Sequence, residues 1–201
     1  MNRWDERYSQ NGYAYGTEPN QFLVEQVNAL NLAAPLNILS LGEGEGRNAV
    51  YLATLGHHVH AVDGSSVGMA KAHKLAEQNR VSLQTQVADL THYTINSPCD
   101  AVIMIFCHLP SDVRHAIHQK IMDALVPGGV LIYQAYSTRQ LNYQTGGPRE
   151  ADLLVNLDEL EQCFSNMNVL HGCMSEKEIY EGKYHTGLAA VTEFVARKPF
   201  E

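Results

Sequence analysis

The stretch Leu41-Gly42-Glu43-Gly44-Glu45-Gly46-Arg47-Asn48 decides the fold class of this 201-residue chain. It follows a short apolar run at 36–41 and leads into a helical pattern at 47–55. A glycine-rich turn between a buried strand and a helix lets backbone amides approach a ligand at the helix N-terminus. Many strand-to-helix turns contain glycine, so the turn by itself does not identify the ligand.

The glycine spacing and two glutamates narrow the ligand class. A dinucleotide loop follows Gly-x-Gly-x-x-Gly, whose third glycine would fall at Arg47, whereas this loop is Gly-x-Gly-x-Gly. Glu43 and Glu45 place two carboxylates where a pyrophosphate would lie, and like charges repel. S-adenosylmethionine has no phosphate and carries a sulfonium and an ammonium group, so the loop favours it. Glu43 is the predicted ligand contact, and Glu45 is either a second contact or a solvated loop charge.

Strands and helices alternate along most of the chain, which predicts an α/β, doubly wound, Rossmann-like parallel sheet. Two late strands are joined by a loop without a helix and should form an antiparallel hairpin. The predicted strands lie at 36–41, 58–62, 81–87, 100–107, 130–135, 169–173 and 188–196. The predicted helices lie at 19–32, 47–55, 65–79, 110–125 and 157–164.

Acidic residues follow the next two predicted strands, at the sheet edge where ligands of such folds bind. Asp63 lies 17 residues beyond Gly46, near the spacing at which an acid reaches ribose hydroxyls. Its alternative role is to cap the following helix, although Ser65 can serve as that cap itself. Ala88-Asp89-Leu90 ends the third strand and places a carboxylate and a backbone amide where an adenine would be read.

Composition restricts the remaining possibilities. The net charge is −8, and the 14 lysines and arginines form no cluster, so nucleic acid is not the expected partner. No apolar run approaches the roughly 18 residues of a membrane span. The polar N-terminus lacks a signal peptide's apolar core, and the four cysteines form no Cys-x-x-Cys pair, so we expect a cytoplasmic protein. His115 and His118 lack an acidic third ligand, so no metal site is predicted.

Taken in order, these motifs resemble the class I S-adenosylmethionine-dependent methyltransferases. Phe106-Cys107-His108 and Pro127-Gly128-Gly129 extend the resemblance beyond the glycine loop, Asp63 and Asp89. Within that class the chain resembles the tellurite-resistance and thiopurine methyltransferase-like branch. That likeness is carried by Trp4-Asp5-Glu6-Arg7-Tyr8, Gly16-Thr17-Glu18-Pro19-Asn20, the glycine loop through Asn48, and the closing stretch 189–198.

The resemblance implies one methyltransferase domain over 1–201, with 1–35 as an N-terminal helical cap. It implies a seven-stranded sheet whose last strand is antiparallel, with S-adenosylmethionine as cofactor. An acid usually stands two residues before the first loop glycine; Ser40 holds that position here, so Glu43 is expected to take over its charge role. The implied cofactor contacts are Gly42, Glu43, Gly44, Gly46, Arg47, Asn48, Asp63, Gly64, Ser65, Ala88, Asp89, Leu90, Phe106, Cys107 and His108.

The N-terminal aromatic residues are predicted to lie near the cofactor. Trp4 and Tyr8, with Tyr13 and Tyr15, either fold over the cofactor as a lid or simply pack the N-terminus onto the domain. We include Trp4 and Tyr8 among the predicted cofactor contacts.

Methyl transfer needs little side-chain chemistry, because the sulfonium already activates the methyl group. Holding donor and nucleophile in line contributes about 7–11 kcal/mol, and a general base adds about 10²–10⁴-fold. His108, after the fourth strand, is the first catalytic candidate; its alternative role is to cap the next helix. His185, in the last loop, is the second, and Tyr136 is a weaker candidate.

The predicted acceptor is a small molecule, because the chain is short and acidic and carries no recognition domain; a monomer or homodimer is expected. The branch resemblance points to thiols, thiopurines or oxyanions of tellurium and selenium, with Arg139, Arg149 and His185 binding an anionic acceptor. Two alternatives remain: a non-catalytic S-adenosylmethionine-binding protein and an NAD-dependent dehydrogenase.

Overall fold

The computed structural model describes residues 3–33 and 35–201, so residues 1, 2 and 34 of the predicted cap at 1–35 lie outside the description. The strands are β1 (Asn37–Leu41), β2 (His58–Asp63), β3 (Gln84–Val87), β4 (Cys99–Ile105), β5 (Leu125–Tyr136), β6 (Asn168–Glu181) and β7 (His185–Arg197). The helices are α1 (Arg3–Tyr8), α2 (Gln21–Ala29), α3 (Arg47–Thr54), α4 (Ser66–Gln78), α5 (Ser111–Ala124) and α6 (Leu157–Cys163). Short 3₁₀ turns lie at Thr138–Asn142 and Ala151–Leu153.

The seven strands found among the described residues form one sheet in the order β3-β2-β1-β4-β5-β7-β6. β7 runs antiparallel to both β5 and β6, and the other neighbouring strands pair in parallel. The predicted doubly wound sheet with an antiparallel last strand is therefore confirmed. The strand order reverses between β1 and β4, so the loops that leave these two strands part and open a crevice at the sheet's carboxyl edge.

The central strands are buried on both faces, as their near-continuous apolar sequences require. Ile38 of β1 points into a core shared with α2, α3 and α4, whereas the next residue, Leu39, points into a core shared with α5 and α6. Ile103 and Met104 of β4 divide between the same two cores. Each such fully buried side chain contributes about 1.5–3 kcal/mol, so this alternation fixes the register that positions the loops.

The starts of α2 and β3 were predicted too early in the chain. α2 begins after Asn20, whose side-chain oxygen accepts a hydrogen bond from the Leu23 amide, so Pro19 precedes the helix. β3 starts only at Gln84, because the Val81 amide instead bonds the Ala76 carbonyl and closes the end of α4.

The predicted turn Pro127-Gly128-Gly129 lies inside β5, where it produces a register irregularity against β4. Gly128 has a φ of +79° and donates its amide to the Lys198 carbonyl, which ties this irregularity to the chain end.

The closing hairpin is much longer than the sequence pattern suggests. β6 and β7 pair from Asn168–Arg197 to Glu181–His185, so the predicted loop shrinks to residues 182–184. The outer half of β6 is a polar edge, and a charged pair joins Lys177 of β6 to Glu193 of β7. Since nearly all β6 side chains are exposed or half-buried on both faces of the strand, its sequence lacks a clear apolar alternation. His185 is consequently the first residue of a strand rather than a loop residue.

Membrane-spanning helices, metal-ligand clusters and disulfides are absent from the described residues. None of the helices in 3–33 and 35–201 has the length and apolar character needed to cross a bilayer. Within the same ranges, no three His, Cys, Asp or Glu side chains cluster as metal ligands would. The four cysteines are free thiols.

Candidate cofactor and active site

A cavity of about 510 Å³ lies at the carboxyl edge of the sheet, at the point where the strand order reverses. The glycine loop, the ends of β2 and β3 and the loop after β4 form its walls, and the N-terminal segment covers it. The predicted residues that line it are Trp4, Tyr8, Gly42, Glu43, Gly44, Arg47, Asn48, Asp63, Gly64, Ala88, Asp89, Leu90, Phe106, Cys107, His108 and His185. The structure thus brings together all the predicted cofactor contacts except Gly46 and Ser65, together with the two predicted catalytic histidines.

Gly46 and Ser65 lie outside the lining for packing reasons. A Cβ atom on Gly46 would lie 2.6 Å from the Cβ of Ala72, so this glycine allows α3 to approach α4. The Ser65 hydroxyl accepts a hydrogen bond from the Gly68 amide and donates one to Asp5, which makes Ser65 the N-cap of α4. Asp63 is therefore released from the capping role that was its alternative.

Glu43 caps α3 from outside the helix. One carboxylate oxygen accepts from the backbone amides of Asn48 and Ala49 at 3.0 and 2.9 Å, and the other accepts from the Ser40 hydroxyl. Ser40, which stands where the class usually has an acid, thus hydrogen-bonds Glu43, the residue that was expected to take over the role of that acid. Burial raises the pKa of Glu43, while these hydrogen bonds oppose that shift. Its negative charge lies at the positive end of α3.

Asp63 organises the glycine loop. Its carboxylate accepts from the Gly44 amide at 2.9 Å and from the Ser65 amide at 2.8 Å. Burial raises the pKa of Asp63, and the two amide hydrogen bonds pull it back. The carboxylate lies on the cavity wall beside Gly64, where it faces any ligand that occupies the crevice.

Gly42 is required by the side chain of Cys107. Its φ is +66°, and a Cβ atom there would lie 2.5 Å from the Cys107 sulfur. The thiol is sealed against this glycine, and burial raises its pKa to about 12. Cys107 therefore lies in the wall as a neutral thiol.

The N-terminal segment is docked on the glycine loop. The Tyr8 ring lies over Gly44, where an added Cβ would meet its hydroxyl at 2.7 Å. Glu45 accepts from the Ala14 amide at 2.6 Å and pairs with Lys71 at 2.8 Å, so the interpretation of Glu45 as a solvated charge was wrong. The stacked Trp4 and Tyr8 rings place the predicted aromatic residues over the cavity.

The opposite wall is aromatic. Phe106, directly after β4, has a φ of +53°, a strained conformation for a residue with a side chain. Its ring lies 4.7 Å from the rings of both Tyr136 and His185, measured between centroids. Gly146 and Gly147 close over Tyr136, since a Cβ on either would meet that side chain at 2.8 Å.

His108 is held as a neutral imidazole. Its Nδ1 donates to the Leu153 carbonyl at 3.3 Å, which leaves Nε2 as a lone-pair acceptor, and the latter is buried without a hydrogen-bond partner. Burial lowers the pKa of His108 to about 3. The ring stacks on Tyr136, so His108 supports the aromatic wall instead of capping α5.

His185 is paired with a carboxylate that the sequence reading missed. Its Nδ1 lies 2.8 Å from Glu181, four residues earlier on β6, and the same carboxylate pairs with Arg47 at 2.7 Å. Burial lowers the pKa of His185, whereas Glu181 opposes that shift. Burial disfavours the charge on Glu181, yet His185 and Arg47 hold its pKa at about 2.

The positive charges at the cavity differ from those predicted. Arg139 and Arg149 are exposed and do not line it, so their predicted placement beside the acceptor was wrong. Arg3 and Arg7 line it instead. Arg7 donates to the Tyr15 hydroxyl and lies 4.5 Å from the Tyr184 ring centre. Arg7 is part of the opening motif quoted from the sequence. It was not predicted as a cavity residue, because nothing in the sequence indicates which group it would contact.

The sheet order, the glycine loop and the acids at successive strand ends agree with the fold expected from the resemblance to class I S-adenosylmethionine-dependent methyltransferases. The family described as a methyltransferase domain matches residues 38–129. Over 115 residues the chain is 28% identical to a probable S-adenosyl-L-methionine-dependent methyltransferase TehB of Haemophilus influenzae strain 10810, covering 56% of this chain and 40% of that protein. The chain thus spans about 40% of the length of this curated relative.

Solved structures share the fold at low sequence identity. TehB from Haemophilus influenzae superposes with a TM-score of 0.74 at 19% identity, over 97% of this chain and 65% of that one. N-methyltransferase NodS from Bradyrhizobium japonicum WM9, in complex with S-adenosyl-L-homocysteine, gives 0.73 at 13% identity over 98% and 96%.

The resemblance drawn from the motifs is confirmed. Residues 38–129 match a methyltransferase domain, and the fold is shared with S-adenosylmethionine-dependent methyltransferases of known structure. The dehydrogenase alternative is contradicted by the family match.

Proposed function

We propose that this chain transfers the methyl group of S-adenosylmethionine to a small-molecule acceptor, within one domain over 1–201 that residues 1–35 cap. The observation that carries the proposal is a single cavity with two unlike walls. One wall holds the glycine loop and Asp63; the other holds Phe106, His108 and His185. A donor on the first wall would present its methyl group to an acceptor on the second.

The proposed cofactor contacts are made by charged side chains and by backbone amides. Asp63 would accept the ribose hydroxyls, and Ala88-Asp89-Leu90 would read the adenine, as the strand-end positions suggest. Arg3 and Arg7 at the cap supply positive charge for a carboxylate, and the amides of the glycine loop provide donors. Glu43 would act indirectly, by holding the start of α3.

The acceptor half favours a small molecule. A cavity of about 510 Å³ falls within the roughly 300–1,000 Å³ of small-ligand sites, and the cap restricts its entrance. The branch resemblance points to thiols, thiopurines or oxyanions of tellurium and selenium. Of the two predicted catalytic residues, His185 is favoured over His108, because the free nitrogen of His108 is sealed in the wall.

The test is transfer of a labelled methyl group to a panel containing tellurite, selenite, thiols, thiopurines and small phenols. We expect turnover with at least one soft nucleophile and none in the Asp63→Ala variant. Activity confined to nitrogen heterocycles or RNA would contradict the proposed acceptor class. Tight cofactor binding without turnover on every acceptor would favour a non-catalytic S-adenosylmethionine-binding protein instead.

A further inference from the structure

The Glu181–His185 pair lies where the closing hairpin meets the cofactor loop. Because Glu181 is a carboxylate, His185 Nδ1 donates to it, and Nε2 keeps a lone pair. No hydrogen-bond partner of Nε2 is found among residues 3–33 and 35–201, and His185 lines the cavity. His108 shows the contrast, since its Nε2 is buried inside the wall.

Glu181 is itself fixed by three groups. It accepts from His185 and Arg47 on one oxygen and from the Asn20 side-chain amide, at 2.8 Å, on the other. Arg47 is the first residue of α3, directly after the glycine loop. The carboxylate thereby connects the cofactor-binding loop to the imidazole across the cavity, and the orientation of His185 follows from residues far apart in sequence.

We propose that Glu181 is a positioning residue for His185, which acts as general base on an acceptor that enters protonated, as a neutral thiol or hydroxyl on an apolar body. This inference rests on the proposed function and narrows its acceptor class away from preformed oxyanions. The acceptor body is assigned to the aromatic wall, because the rings of Tyr15, Phe106 and Tyr136 all lie within 5.3 Å of the His185 ring centre.

The step balances without a further reactant. The sulfur or oxygen of the acceptor forms a bond to the methyl carbon, and the carbon–sulfur bond breaks with its electron pair moving to sulfur. S-adenosylmethionine becomes the neutral thioether S-adenosylhomocysteine. The acceptor proton passes to Nε2 of His185, and the resulting imidazolium is stabilised by the Glu181 carboxylate until it releases the proton to water.

The charged and titratable groups around His185 come from every element packed against it. They are Glu181 of β6, Arg47 of α3, Arg7 of α1, Tyr15 of the N-terminal segment, Tyr136 of β5 and His108 after β4. Turnover of a protonated acceptor should therefore fall as the pH drops and His185 takes up a proton. Removal of the Glu181 charge should move that acidic limb to lower pH, because the imidazolium loses its partner.

The experiment compares two thiophenols of similar shape, one ionised and one protonated at the assay pH, in wild type, Glu181→Gln and the exposed control Glu178→Gln. We expect Glu181→Gln to lower kcat on the protonated thiol by about 10²-fold, to spare the ionised thiol, and to shift the acidic limb downward. The Glu178→Gln control should match wild type. Equal losses on both thiols, or an unmoved limb, would overturn the inference.

A second measurement does not depend on turnover. Nitrogen NMR shifts of His185 in the complex with S-adenosylhomocysteine should show the neutral Nδ1–H tautomer, and Glu181→Gln should reduce its population. An Nε2–H tautomer in wild type would refute the pair even if methyl transfer occurs. If no acceptor is methylated while the tautomer is as expected, it is the proposed function that fails.

Discussion

The two walls of the cavity are built in different ways. On the wall formed by the glycine loop and Asp63, here named the cofactor wall, the side chains of Glu43, Glu45 and Asp63 all accept hydrogen bonds from backbone amides. On the aromatic wall around Phe106 and His185, here named the acceptor wall, Nε2 of His108 and the Tyr136 hydroxyl are buried without hydrogen-bond partners among the described residues. The carboxylates of the cofactor wall are thus hydrogen-bonded within the protein before a ligand binds, whereas the acceptor wall retains unsatisfied polar groups.

This difference indicates which part of the cavity is the more rigid. A buried carboxylate that accepts two amides holds the loop geometry, so the cofactor wall is preorganised. An unpartnered buried polar atom costs about 1–3 kcal/mol, and beside a cavity such an atom is available to a ligand or an ordered water. We therefore expect the acceptor wall to determine acceptor specificity and the cofactor wall to determine cofactor affinity.

The largest expected effect is on the cofactor wall. Asp63→Ala removes the acceptor of the Gly44 and Ser65 amides, each worth about 1.5–3 kcal/mol when the partner is charged. We expect S-adenosylmethionine affinity to fall by at least about 100-fold in calorimetry. Asp89→Asn, at an exposed strand end, should cost less. Equal affinities for wild type and Asp63→Ala would remove Asp63 from the site.

Gly42→Ala should destabilise the fold, because its Cβ would lie 2.5 Å from the Cys107 sulfur at a φ of +66°. We expect a loss of about 2–3 kcal/mol in urea unfolding. Gly64→Ala is the matched control, since its Cβ would approach nothing closer than 3.8 Å. Similar losses in the two variants would show that the contact with Cys107 does not constrain Gly42.

The free energy of unfolding should fall as the pH is lowered, because the buried His118 takes up a proton more readily in the unfolded state. Burial lowers its pKa to about 3, below the ordinary 6.5, so the unfolded state takes up the proton first. The contribution is present above pH 6.5 and is lost as the pH falls from about 6.5 toward 3, at up to about 1.4 kcal/mol per pH unit. His118→Phe should flatten this dependence, and the exposed His115→Gln should leave it intact. An unchanged slope in His118→Phe would contradict this assignment.

The smallest effect is expected at the cap. Lys71→Met breaks the 2.8 Å pair with Glu45, and Lys71 is partly exposed, so the loss should be about 1 kcal/mol. Hydrogen exchange should rise at residues 9–16 without a change in the sheet. Unchanged exchange there would mean that this ion pair does not hold the cap on the cofactor wall.

How much of each wall could be predicted from sequence follows from its construction. The glycine loop and Asp63 lie within 22 residues of each other, so their place at one site could be predicted from sequence spacing. Burial on both faces likewise made β4 apparent as a nearly continuous apolar run and β1 as a short apolar run broken by Asn37 and Ser40. Gly46 lies in this loop and Ser65 follows Asp63 by two residues, but they act in packing and capping. Those roles depend on contacts with α4, which sequence spacing does not show.

The acceptor wall could be predicted only in part. His108 and His185 were candidates, but Glu181 was not, because its partner Arg47 lies 134 residues earlier in the chain. The hairpin that carries both residues was predicted too short, since β6 is a polar edge strand without an apolar periodicity. Arg139 and Arg149 were predicted from polarity alone, and polarity does not say which loop turns toward the cavity.

The most direct measurement is a calorimetric titration of the chain with S-adenosylmethionine, S-adenosylhomocysteine, NAD and ATP. One-site binding of the first two is expected at micromolar dissociation constants, about −8 kcal/mol, with no heat of binding from NAD or ATP. Binding of NAD alone would contradict the assignment of the cavity, and with it the division of labour between the two walls.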